Sequence, residues 1–72
     1  MREAATAEDT YRRALAVAPW HRNANLGLGR FLLRAGRAGE ALPPLERALA
    51  VDPVLAPAAA ARAEALFALG RD

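Results

Sequence analysis

Arg13-Ala14-Leu15-Ala16-Val17-Ala18-Pro19 returns 34 residues later as Arg47-Ala48-Leu49-Ala50-Val51-Asp52-Pro53, with six of the seven residues unchanged. The same offset aligns Ala7 with Ala41, Ala24 with Ala58, Leu32 with Leu66, Gly36 with Gly70 and Arg37 with Arg71. A fixed period in this range marks stacked supersecondary units, each too small to bury its own apolar face and hiding it against its neighbours. The period sets the architecture and, by class, points to binding. It does not name what is bound.

Turn signals divide the chain into four helical stretches. The first runs from about Arg2 to Ala18, with Ala7, Tyr11, Ala14 and Leu15 on one face, and ends at Pro19. The second runs from about Arg22 to Ala35, where Asn25, Leu28, Gly29 and Leu32 form a stripe at helical spacing and Gly36 supplies a left-handed cap. The third turns Leu42, Leu45, Ala48 and Leu49 inward and stops at Asp52-Pro53. The fourth runs from about Ala56 to Leu69 and closes at Gly70, with Pro57 in its opening turn. Pro43-Pro44 interrupts this pattern. Each proline lacks an N–H and disfavours the helical region for the residue before it, which predicts a distorted or delayed start to the third helix.

Composition agrees with an all-α fold. Of the 72 residues, 54 % are hydrophobic and 25 % charged, which suits a compact chain rather than a disordered one. Alanine, the best helix former, dominates; Ile is absent and Thr occurs only at positions 6 and 10, which disfavours strands. There is no Cys, hence neither a disulfide scaffold nor a thiolate metal site. No segment approaches the ~18 apolar residues of a membrane helix. Glu3, Glu8 and Asp9 make the N-terminus too acidic for a signal or transit peptide, so a cytoplasmic address is the expectation.

Three runs carry a family resemblance: Gly29-Arg30-Phe31-Leu32, Gly36-Arg37-Ala38-Gly39-Glu40-Ala41-Leu42, and Leu45-Glu46-Arg47-Ala48-Leu49-Ala50-Val51-Asp52-Pro53. They resemble the tetratricopeptide repeat, a 34-residue helix–turn–helix unit with small residues where paired helices cross and a Pro closing each unit. The resemblance implies a single antiparallel helix–turn–helix α-solenoid over residues 1–72. Residues 22–55 would be one complete repeat, 1–21 the second helix of a preceding one, and 56–72 the first helix of a following one. Gly29 and Ala63 on first helices, and Ala7, Ala14, Ala41 and Ala48 on second helices, match the family's small positions. Two features depart from it. Asn25 and Ala59 stand where the family carries a large aromatic, which thins the inner packing. Arg62 stands where the complete repeat has Leu28, marking either a helix that faces water or a side chain whose stem lies along the seam.

Enzyme signatures are absent. With no Ser or Cys, the usual nucleophiles are missing, and Thr6 and Thr10 have no His nearby to act as base. His21 is the single histidine and has no convergent ligands for a metal, so it reads as an exposed loop residue. Gly27-Leu28-Gly29 lacks the third Gly or the Lys of a phosphate loop and reads as a close helix contact. Glu40, Glu46 and Asp52 read as helix-surface or helix-end charges. No catalytic residue, metal site or cofactor is expected.

Charge is unevenly spread. Between Thr10 and Gly39 lie six arginines, Arg12, Arg13, Arg22, Arg30, Arg34 and Arg37, and no acid. The resemblance implies that first helices line a concave groove, where Asn23, Leu26, Arg30, Leu33 and Arg34 would stand beside Pro57, Ala60, Glu64 and Phe67. Arg30 and Arg34, four apart on one helix, are a like-charge pair suited to an anionic ligand, unless Arg30 pairs with Glu64 and Arg34 is simply solvated. Leu26, Gly27, Ala60 and Ala61 occupy sites where the family's carboxylate-binding pattern has polar groups, so that activity is not carried over.

The expected function is therefore binding of a protein or peptide, extended and acidic, through this groove. Trp20 either covers a helix end or serves as an interface anchor. Two other roles fit the same residues: a self-assembling helical stack, and a docking segment of a larger enzyme or complex. Nucleic acid is not the expected partner, because Glu40, Glu46 and Glu64 interrupt any continuous basic face.

Overall fold

In a computed structural model the chain is described over residues 3–70, with side-chain surroundings from residue 7 onward. The described residues form four helices: α1 (Glu3–Val17), α2 (Arg22–Arg34), α3 (Ala38–Val51) and α4 (Ala56–Ala68). Each boundary has a local cause. Pro19 and Pro53 follow the ends of α1 and α3, where a missing N–H and a fixed φ oppose further helix.

The turn after α2 is a Schellman motif, with Gly36 at φ +79°. The Gly36 N–H donates to the Leu33 carbonyl at 3.1 Å and the Arg37 N–H to the Leu32 carbonyl at 2.9 Å. Gly70, at φ +77°, repeats this left-handed cap after α4. The N-terminus of α2 is capped by His21, whose Nδ1 accepts from the Ala24 N–H at 3.1 Å. The residue expected to be an idle loop histidine thus satisfies one of the helix's orphan donors.

α2 is the organising element: it packs against α1, α3 and α4, whereas α1 packs on α2 alone among the described residues. The core joins Leu28 and Leu32 of α2, Ala41 and Leu45 of α3, and Ala61 of α4. A smaller cluster of Ala38, Leu42 and Ala65 lies beside it. Gly29 lets α2 and α3 approach closely, since a Cβ there would stand 2.5 Å from Leu45 Cγ and Cδ2. At the α1–α2 contact Gly27 performs the same service for Tyr11, whose ring would meet a Cβ at 2.5 Å. The repeat-related pair is Leu45 against Ala61. A larger ring on one helix is matched by a smaller residue on the other.

Three expectations change. α3 does not start late: it is helical from Ala38 straight through Pro43 and Pro44. The carbonyls these prolines leave without helical partners belong to Gly39 and Glu40, which are exposed and open to water. Burial of Ala41, Leu42, Pro44 and Leu45 holds the segment in place.

Ala14 is exposed, unlike its repeat counterpart Ala48, which is fully buried; α2 covers that face of α3, and no described helix covers the corresponding face of α1. Asn25 is more than a smaller stand-in for an aromatic. It is fully buried and its amide donates to the Pro19 carbonyl at 3.0 Å and the His21 carbonyl at 3.1 Å, pinning the α1–α2 turn onto α2.

Candidate functional site

The structure sorts the arginines into two groups. Arg12 pairs with Glu8 at 2.9 Å, Arg13 with Asp9 at 3.1 Å and Arg22 with Asp52 at 2.9 Å. The Schellman turn aims Arg37 back toward α1, where it reaches Glu8 at 2.9 Å while holding Glu40 at 2.8 Å. Hydrogen bonds from Arg37, then from Arg12, hold the Glu8 carboxyl below its usual range, and the Arg37 hydrogen bond does the same for Glu40. Arg37 is in turn held protonated more firmly than usual by Glu40 and Glu8. These four arginines are therefore fastened to the fold.

Arg30 and Arg34 are not. Both are exposed on one side of α2, and neither has an ion-pair partner among the described residues. The pairing of Arg30 with Glu64 that the repeat offset suggested does not form. The two residues instead line the same cavity of about 400 Å³ between α2 and α4, together with Leu33, Arg34, Pro57 and Ala60. Arg30 and Arg34 also border a second cavity of about 430 Å³ on the opposite flank of α2, walled by Ala7, Tyr11, Gly27 and Phe31. The arginine pair is thus a ridge between two hollows, with Glu64 across one of them and not in ion-pair contact. Two guanidinium forks one turn apart can hold a carboxylate or another planar anion in a bidentate manner.

Of the sequence-derived groove residues, Arg30, Leu33, Arg34, Pro57, Ala60 and Glu64 come together in one cavity. Asn23, Leu26 and Phe67 do not join them there. Asn23 is exposed at the start of α2, its Oδ1 accepting from Arg22 Nε at 3.4 Å. Leu26 is half-buried against the core, and Phe67 is 83 % exposed. Trp20 is 58 % exposed, so it does not close the end of the α1–α2 pair; Asn25 and His21 secure that end instead. Arg62 follows the seam reading: it reaches back from α4 to Glu46 on α3 at 3.5 Å.

Sequence reasoning missed a hollow of about 530 Å³ between α1 and α3. Leu15, Leu28, Leu32 and Pro44 line it, with Arg12, Glu40 and Arg47 at its rim. The signal available was Pro44, a residue the sequence placed only as a helix breaker. Among the described residues no three His, Asp or Glu side chains converge on a possible metal position, and no helix is long and apolar enough to cross a membrane.

No curated protein and no solved structure matches the chain. A family model, that of the tetratricopeptide repeat, matches residues 1–63. With this match laid over a 34-residue period of paired antiparallel helices, the chain belongs to the tetratricopeptide repeat family, whose repeats in general are non-catalytic modules of protein–protein interaction.

Proposed function

We propose that the chain binds an extended segment of a protein partner along α2 and α4, with an acidic side chain of that segment seated on Arg30 and Arg34. The observation that carries this reading is the sorting of the arginines. Four of the six in the acid-free stretch are tied to carboxylates, and the two left over share one exposed helix face and border the α2–α4 cavity. Like charges four apart cost a helix a few tenths of a kcal/mol, so the pair is better explained by an anionic partner than by helix stability. Leu33 and Ala60 give the same cavity an apolar wall for a neighbouring side chain.

An array of short peptides, each with a central Glu flanked by Leu or Phe, tests the reading against a matched array carrying Gln. The wild-type chain should prefer the Glu peptides, and Arg30→Ala with Arg34→Ala should abolish that preference, a change of about tenfold or more for a charge-assisted bidentate contact. Equal binding of Glu and Gln peptides, or binding indifferent to the double substitution, would overturn it.

A further inference from the structure

The 34-residue offset does more than relate parts of one chain, because it converts each contact inside the chain into a possible contact between copies. Arg30 and Leu33 of α2 face Ala60 and Glu64 of α4 across one cavity. One repeat further on from Arg30 and Leu33 stand Glu64 and Phe67; one repeat back from Ala60 and Glu64 stand Leu26 and Arg30. A second copy that continued the stacking would therefore set its Glu64 opposite Arg30 and its Phe67 opposite Leu26. The charges are opposite, and both side chains lack an ion-pair partner among the described residues.

The receiving surface is already shaped for this. The hollow between α1 and α2 is walled by Ala7, Tyr11, Gly27 and Phe31. Their counterparts one repeat on are Ala41, Leu45, Ala61 and Ala65, all buried within the chain. Leu32 and Leu33 of α2 pack on those counterparts, Leu32 in the main cluster and Leu33 against both clusters. The residues one repeat on from them are Leu66 and Phe67, on α4, the first half-buried and the second 83 % exposed.

We propose that a second copy of this chain docks its α4 into the hollow between α1 and α2, with the second copy's Phe67 and Leu66 filling the hollow and its Glu64 paired with Arg30. The two surfaces are different patches of the molecule, so the contact is head-to-tail and repeats as an open stack rather than closing as a two-fold dimer. The stack engages Arg30, which also borders the α2–α4 cavity, so it competes with an acidic segment for that side chain, and it goes beyond the groove reading without resting on it. Salt weakens it through the exposed Arg30–Glu64 contact and leaves the apolar part in place.

Sedimentation equilibrium over about a hundredfold range of concentration, with no peptide added, tests the proposal. The weight-average mass should climb with concentration past that of a dimer. Arg30→Glu alone and Glu64→Arg alone should each weaken association about tenfold or more, because like charges then meet at the contact. An equimolar mixture of the two variants, and the chain carrying both substitutions, should recover it, since each restores an opposite pair. Both positions are exposed, and far-ultraviolet circular dichroism verifies that every variant keeps its helices. Phe67→Asp, also at an exposed position, should give a monomer. A monomer at every concentration, growth that stops at two copies, or single variants that associate like the wild type would each overturn the proposal.

Discussion

Replacing Gly29 by Ala is the most direct probe of the contact on which the repeat is built. In an exposed helix interior the change stabilises by up to about 1 kcal/mol, because Gly has more backbone freedom to lose on folding. At Gly29 the added Cβ would stand 2.5 Å from Leu45 Cγ and Cδ2 and 3.4 Å from the Ala41 carbonyl. Leu45 is fully buried between helices and has nowhere to retreat. Overpacking of this kind costs about 1–3 kcal/mol, which set against the propensity gain leaves a net loss of up to about 2 kcal/mol. For a domain of this size that lowers the melting temperature by up to roughly 15 °C. Gly39→Ala is the control. It makes the same chemical change near the start of α3 with nothing within 4 Å of the new Cβ, and should raise the melting temperature by a few degrees, about half to 1 kcal/mol. Thermal melts of the two variants beside the wild type decide the matter. A Gly29→Ala chain that melts at or above the wild-type temperature would refute the close α2–α3 crossing.

Two further perturbations test other joints. Asn25→Ala leaves the His21 carbonyl with its backbone donor, the Asn25 N–H at 3.0 Å, but strips the Pro19 carbonyl of the Asn25 amide, and should cost about 1 kcal/mol in urea unfolding with an unchanged m-value. Asn23→Ala, at an exposed position, should change stability by less than about 0.5 kcal/mol. Glu8 and Glu40 titrate below the ordinary carboxyl value of 4.5 in the folded chain, so their contribution to stability is present above that value and is lost as the pH falls through the lowered one. Melting temperatures recorded from about pH 6 to pH 3 should fall in acid for the wild type, and Arg37→Gln should melt lower at neutral pH with a shallower acid slope.

The helices were legible because their ends are written in single residues: Pro19 and Pro53 follow α1 and α3, and Gly36 and Gly70 take the left-handed conformation after α2 and α4. What resisted reading was any choice among several partners. Ten arginines and eight acids allow many pairings; Arg12–Glu8 and Arg13–Asp9 follow from helical spacing, whereas Arg37–Glu8 forms because the Schellman turn aims Arg37 at α1. The repeat offset misled at Ala14, where sequence equivalence to Ala48 holds but the covering helix does not, and at Arg30 with Glu64, which share a cavity without pairing. Asn25 misled in another way. Compared with the family's aromatic it counts as a loss of packing, yet its amide supplies two hydrogen bonds that the aromatic could not. Of the candidate groove, the positions followed from helical spacing; the isolation of Arg30 and Arg34 followed from where every other charge went.

Pro43 and Pro44 bear on what holds α3 in its helix. A helix grows by adding one backbone hydrogen bond per residue after a costly first turn, and α3 forgoes two of those bonds directly after that turn. By itself α3 is a poor helix, and only the side chains buried against α2 and α4 hold it in that conformation. α2, free of proline and capped at both ends, keeps its backbone ladder intact and presents the surface on which α3 winds. In this helix pair the proline-bearing member is made by contact with its partner rather than by its own ladder alone.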